Sequence, residues 1–292
     1  MTDTNSGKIP KIRSRKKTEL TAQIVRGVVL WICSLTMILP LLWMITSALK
    51  TNTSIMSIPP QWIPKEFAWE NFPIGLAAIQ FWPRFLNTVF ITVLCIIGQV
   101  ISSTLVGYAL SRIKFPGRKF WFYLFVGSMM LPSLVTVIPV FKFWSGLGFY
   151  NTYWPLIVPA FLGGPFYTFL IRQFLMGVPR SFDEAAKIDG AGHLRILFQI
   201  LAPIIKPALI TIVIMQFQAS WNEYLGPLIY LMDGEKWTLS LAVASYISLY
   251  AVEWNKFMAA DLIYMIPSLI IFFACQKYFM QGMGSLTTAG LK

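Results

Sequence analysis

Residues 184–209 read EAAKIDGAGHLRILFQILAPIIKPAL. The stretch opens with alanines and charges, passes Gly190 and Gly192, and ends apolar around Pro203 and Pro207. The run Ser181-Phe182-Asp183-Glu184 has the order of a capping box, in which Ser181 caps the helix start and Glu184 reaches back. Asp183 and Lys187 are spaced i,i+4 and can pair along the helix. Ala185 and Ala186 keep its surface flat, so that another protein can approach closely. Gly190 then stops the helix, because glycine takes the left-handed C-cap conformation cheaply. A second helix is expected to start near His193, read as a solvated residue, and to lead through Pro203 into an apolar run.

That short polar helix stands among long apolar segments. The chain has 292 residues, 56% of them hydrophobic and 12% charged. Soluble domains carry about a quarter charged residues, so the composition points to an integral membrane protein. Uncharged or nearly uncharged runs cover residues 27–49, 85–111, 120–141, about 154–171, about 203–224 and about 257–280. The roughly 20 residues that a spanning helix needs make these six transmembrane helices of an all-α, polytopic protein. Eighteen of the Lys and Arg residues fall on one side of this arrangement and six on the other. The positive-inside rule puts both termini, and the stretch 184–209, in the cytoplasm. The net charge of +12 is thereby mostly topology, and no nucleic acid is needed to explain it.

Residues 1–26 read as a basic cytoplasmic tail, a topology determinant that can also meet acidic lipid headgroups. The apolar run after it is too long for a signal-peptide core and is read as a retained first span. Residues 237–252 are uncharged but short and rich in Ser and Thr. They are expected to form an external helix on the membrane surface rather than a seventh span. Pro40, Pro132, Pro139, Pro159, Pro165, Pro207 and Pro267 fall within or beside spans, where proline kinks a helix and frees a carbonyl. Cys33, Cys95 and Cys275 lie in apolar runs without metal spacing and read as packing residues, with no metal site. The chain lacks a G-x-x-x-x-G-K-[ST] phosphate loop, and His193 is its sole histidine. This excludes the common ATP-binding and catalytic sets. Buried acids of the kind that proton-coupled carriers use are sparse, Glu223 and Asp261 being the nearest candidates.

Glu184-Ala185-Ala186, Asp189-Gly190-Ala191 and then Ile200-Leu201-Ala202-Pro203 resemble the EAA loop of ABC importer permeases. Further stretches agree: GYALSRIKFPGR from Gly107, LPSLVTVIPVF from Leu131, FLIRQFLMGVPRSFDEAAKIDGA from Phe169 and SWNEYLGPL from Ser220 are similar to permeases of carbohydrate (maltose-type) importers. The resemblance covers about residues 27–284 and implies a transmembrane domain with a coupling loop at 181–203 and an external loop at 227–256. It implies a second, non-identical permease, a dimer of cytosolic ATPase subunits that hold ATP and Mg, and an extracytoplasmic solute-binding protein. This chain itself would carry no cofactor, and it would sit in a bacterial or archaeal cytoplasmic membrane. By position, Glu184 would meet a basic residue of the ATPase. Ala185, Ala186 and Asp189 would belong to the docking helix, and Gly190 would set its angle. Met232, Asp233 and Gly234 would form the tip of a loop that contacts the binding protein, either as an insert into it or as an ordinary docking loop.

In the fifth span, Gln216, Ser220 and Glu223 recur at helical spacing, with Gln218 and Asn222 on a neighbouring stripe. Two readings stay open for them, a sugar path and contact with the partner permease. The C-terminal segment 285–292 departs from the G-A-V-K-G ending common in the family. An ion-coupled carrier or channel is the alternative from another class. A permease for a non-sugar solute such as glycerol phosphate is the nearer rival.

Overall fold

The computed structural model describes residues 12–249 and 253–289, with side chains described over 19–247 and 253–276. Its regular elements are helical, with no strand among the described residues. Helix α1 (Ile12–Ala48) is followed by the short α2 (Asn71–Ala78) and the long α3 (Phe81–Arg112). Then come α4 (Arg118–Gly127), α5 (Ser133–Gly146), α6 (Pro165–Gly177) and α7 (Ser181–Ile188). The chain closes with α8 (Lys206–Trp221), α9 (Leu225–Tyr230), α10 (Leu239–Leu249) and α11 (Trp254–Ala289).

Helix α3 organises the molecule. At 32 residues it is about 48 Å long, more than the roughly 30 Å of bilayer hydrocarbon. Its inward stripe is Arg84, Thr88, Ile91, Cys95, Gln99 and Ser102, and its outward stripe is Leu86, Phe90, Val93, Ile97 and Ile101. Both recur every three or four residues, as one face of a helix must. Polar residues are buried and large apolar ones exposed, the reverse of a soluble helix, because lipid replaces water outside. Small residues let the neighbours close in. A Cβ added at Gly107 would lie 2.7 Å from Ile171 Cγ2, and one at Gly98 would lie 2.5 Å from the Phe161 ring. The second and fourth spans therefore pack at backbone range.

Four segments are long and apolar enough to cross a membrane: 19–48, 81–112, 154–177 and 254–276. Two bent pairs bring the number to six if each counts as one span. The pair α4/α5 turns by 103° and the pair 193–204/α8 by 83°. The third and fifth spans are thus bent, in stretches that hold Pro132 and Pro207, two of the prolines read as kinks. Pro132 sits at the first bend, as the N-cap of α5. Pro207 falls in the first turn of α8, where a missing N–H costs nothing. Pro40, Pro139 and Pro267 lie inside their helices, past the first turn.

The expectation of a surface helix at 237–252 needs correction. The described part of helix α10 has 11 residues, about 17 Å and short of a span, and residues 250–252 of that stretch lie outside the described residues. It is nevertheless buried: Leu239, Ala242, Val243 and Tyr246 pack with Phe81, Phe217 and Trp221 in one apolar cluster. Helices α1 and α11 also run through the boundaries expected at residues 26 and 284.

Candidate coupling helix and translocation cavity

Helix α7 starts at Ser181, with Arg180 as its N-cap and no side-chain capping bond. The expected capping box does not form, because Ser181 already lies inside the first turn and the Glu184 amide bonds Arg180 O. The expected Asp183–Lys187 pair does not form either. Asp183 turns inward and meets Arg112, at the end of α3, with Nη1–Oδ2 at 3.4 Å and side-chain exposures of 6% and 10%. Arg112 also donates to Val178 O at 2.8 Å. The alanine pair divides: Ala186 joins the core with Tyr108, Leu175, Ile196 and Leu201, whereas Ala185 faces out.

The outward face of α7 carries Ser181, Phe182, Glu184, Ala185, Ile188 and Asp189. Ile188 is 87% exposed, and the Glu184 carboxylate has no partner among the described residues. Gly190 ends the helix at φ +76° with open space where a Cβ would sit, so its role is conformational rather than steric. Its N–H bonds Lys187 O and that of Ala191 bonds Ala186 O, which closes the turn. The second helix begins at His193 as expected, then widens into a π-helical turn at Ile196–Leu201. His193 is not merely solvated: its Nδ1 lies 3.0 Å from the Tyr108 hydroxyl.

From Gln99 near the middle of α3 toward its start, a cavity of about 370 Å³ opens between α3, the fourth span and α8. Gln216, Ser220 and Glu223 line it, as one stripe of α8 and the residues after it. Gln216 Nε2 donates to Ser220 Oγ at 2.7 Å, and Glu223 Oε1 accepts the Gly226 N–H at 2.8 Å. Gln99, Cys95, Thr238 and Tyr230 add polar groups to the lining from other elements. Sequence reading missed these four. Gln99 carried a usable signal, as an amide in the middle of an apolar run. Gln218 and Asn222 lie elsewhere. Gln218 faces Phe272 and Gln276 of α11, while Asn222 donates to Gln218 O and accepts from the Tyr264 hydroxyl at 2.9 Å. Asn222 thus meets α11 of its own chain, and Gln218 lines a second pocket beside that helix.

Residues 103–285 match the family described as "Binding-protein-dependent transport system inner membrane component". The chain belongs to that family. It is 33% identical over 258 residues to the probable ABC transporter permease protein YurM of Bacillus subtilis, covering 86% of this chain and 83% of that one. Over 258 residues it is 32% identical to the arabinooligosaccharides transport system permease protein AraQ of Halalkalibacterium halodurans, covering 87% and 91%. It is 29% identical to the sn-glycerol-3-phosphate transport system permease protein UgpE of Yersinia enterocolitica, covering 88% and 94%. The fold matches a crystal structure of a bacterial ABC transporter involved in the import of the acidic polysaccharide alginate. That match has a TM-score of 0.81 and 24% identity and covers 94% of this chain and all of the other. The protein is therefore a multi-pass membrane subunit of an ABC importer, a permease and not an enzyme.

The permease has a polar knot at the cavity end. Asn151, held at φ +58°, donates to Asp233 Oδ2 at 2.6 Å and accepts the Met232 and Asp233 N–H groups at 3.1 and 3.2 Å. Lys236 Nζ bonds both Asn151 O and Asp233 Oδ2. The Asn151 hydrogen bond, then Lys236, holds the Asp233 carboxyl below its usual range. Asn87 donates to Glu235 O and Trp237 O. In the turn Met232-Asp233-Gly234, Met232 and Asp233 are thus exposed yet fastened to the loop before the fourth span.

Proposed function

We propose that this permease forms half of the membrane path of an ATP-driven importer for a neutral oligosaccharide. The lining of the cavity carries this reading. Gln99, Gln216, Ser220 and Thr238 offer amides and hydroxyls, which suit a polyhydroxylated solute, and Tyr230 adds an aromatic ring. Glu223 is the sole charged residue of the lining. An anion there would face a carboxylate with no cation in the same wall, which disfavours the rival glycerol phosphate. The relatives that carry arabinooligosaccharides and diacetylchitobiose support the same choice.

In this reading both termini are cytoplasmic, and α7 docks on a separate ATPase dimer that holds ATP and Mg. Glu184, unpaired on an outward face beside Phe182 and Ile188, meets a basic residue there. Ala185 and Asp189 lie on the docking face, Ala186 seats the helix on its own chain, and Gly190 sets the angle. A second, non-identical permease closes the other wall of the cavity. The extracytoplasmic binding protein contacts the turn Met232-Asp233-Gly234. ATP-driven closure of the ATPase dimer displaces α7 and switches the spans between inward- and outward-facing states.

The test is uptake by the complete transporter in proteoliposomes, with arabinotriose and sn-glycerol 3-phosphate as solutes. Uptake of the neutral sugar that needs ATP supports the reading. Uptake of glycerol phosphate alone overturns the solute class. Uptake by this chain without any ATPase, under an ion gradient, overturns the mechanism.

A further inference from the structure

One guanidinium ties three segments together at the basic end. Arg112 is the last residue of α3, Val178 opens the connection from α6, and Asp183 lies in the first turn of α7. Arg112 holds Val178 O at 2.8 Å and Asp183 at 3.4 Å, and the ion pair is almost fully buried. Both charges sit well with the helix dipoles, a cation at the C-terminus of α3 and an anion at the N-terminus of α7.

The pair is poorly made as a source of stability. Arg112 Nε and Asp183 Oδ2 have no hydrogen-bond partner among the described residues. A buried pair left partly unsatisfied recovers little of its desolvation cost, so an apolar pair of similar size would hold the fold at least as well. What charges add is registry, because only one relative position of α3 and α7 keeps both of them paired. Chain connectivity already links α7 to the fourth and fifth spans, through residues 178–180 and 189–192. It provides no link to the second span. Arg112–Asp183 makes that link, with the Tyr108–His193 contact beside it. Behind the pair, the tight Gly107–Ile171 approach makes α3 and α6 one body.

We infer that Arg112 and Asp183 are positioning residues that make α3 move with α7, so that displacement of α7 enters the cavity-lining second span directly. The inference rests on the reading of α7 as the ATPase-docking helix. In this arrangement Gln99 and Cys95 on the cavity wall shift together with the docking helix.

The test uses the complete transporter in nanodiscs, with spin labels at Lys187→Cys on α7 and Ile97→Cys on the lipid face of α3. Cys33, Cys95 and Cys275 are replaced by Ser. Pulsed electron spin resonance then measures the α7–α3 distance with and without Mg-ATP. With the pair intact, the distance stays unchanged when Mg-ATP is added. In Asp183→Asn, and in the fold-retaining double variant Arg112→Met/Asp183→Leu, Mg-ATP shifts or broadens it by more than about 2 Å, the scale of helix shifts in such transitions. The ATPase stays attached in both variants. A distance that moves in the unsubstituted pair, or variants that behave like it, overturns the inference. So does loss of ATPase attachment in both variants, since the pair would then only shape α7. Glu184→Lys separates the two claims: if it leaves the ATPase attached, the docking reading fails, whatever the distances show.

Discussion

Two ion pairs mark the two ends of this permease, and they differ in almost every physical respect. Arg112–Asp183 is buried, joins two helices that lie far apart in sequence, and carries few further hydrogen bonds. Asp233–Lys236 is exposed, joins residues three apart, and sits in a knot where Asn151 satisfies most of the polar groups. The buried pair is costly to break and fixes how helices sit. The exposed pair is screened by water and salt, and the hydrogen bonds around it hold the turn instead. The basic end is thus built to keep elements in register, and the cavity end to hold a loop in one shape.

The largest expected effect comes from breaking the buried pair on one side. Asp183→Ala leaves the Arg112 charge buried without its counter-ion and should cost about 3–5 kcal/mol. Denaturant unfolding in detergent checks it, and a change below about 1 kcal/mol would mean that water reaches the pair. Next is Gly190→Ala. The left-handed conformation at φ +76° should cost alanine about 1–2 kcal/mol, although no atom blocks its methyl group. Hydrogen exchange of the 187–191 amides measures this directly. Ser181→Ala should change stability by less than about 0.5 kcal/mol, because Ser181 caps nothing. A loss near 1 kcal/mol would restore the capping box.

The smallest effect belongs to the exposed pair. A carboxyl whose folded pKa is depressed stabilises above its unfolded pKa, and that contribution is lost as pH falls through the folded value. Asp233 is such a group. Order in the 232–236 turn should hold from neutral pH down to about pH 4 and weaken below it. Asp233→Asn should remove that dependence. Hydrogen exchange of the Met232 and Asp233 amides at several pH values reads it, and a transition near neutrality would refute it.

Much of this was legible in the primary sequence, for reasons that differ from residue to residue. The spans were readable because lipid demands long uncharged runs, whatever packs beside them. The bend at Pro132 and the stop at Gly190 were readable because backbone chemistry acts locally. The EAA order marked α7 through the identity and spacing of its residues. Partner choice was not legible. Asp183 had Lys187 at ideal helical spacing and still turned to Arg112, because only the fold brings the end of α3 against α7. Likewise Gln216 and Gln218, two residues apart, point to a cavity and to a neighbouring helix. Helix α10 looked like a surface segment because burial depends on Phe81, Phe217 and Trp221, which are remote in sequence.

The sequence alone determined the membrane class, the number of apolar runs, the charge asymmetry and the place of the EAA order on α7. Each follows from solvent preference or local backbone geometry. Only the tertiary structure decided which polar stripe lines the cavity, which acid is buried with which base, and which short helix is covered. Those outcomes depend on contacts between distant segments, and no local rule encodes them.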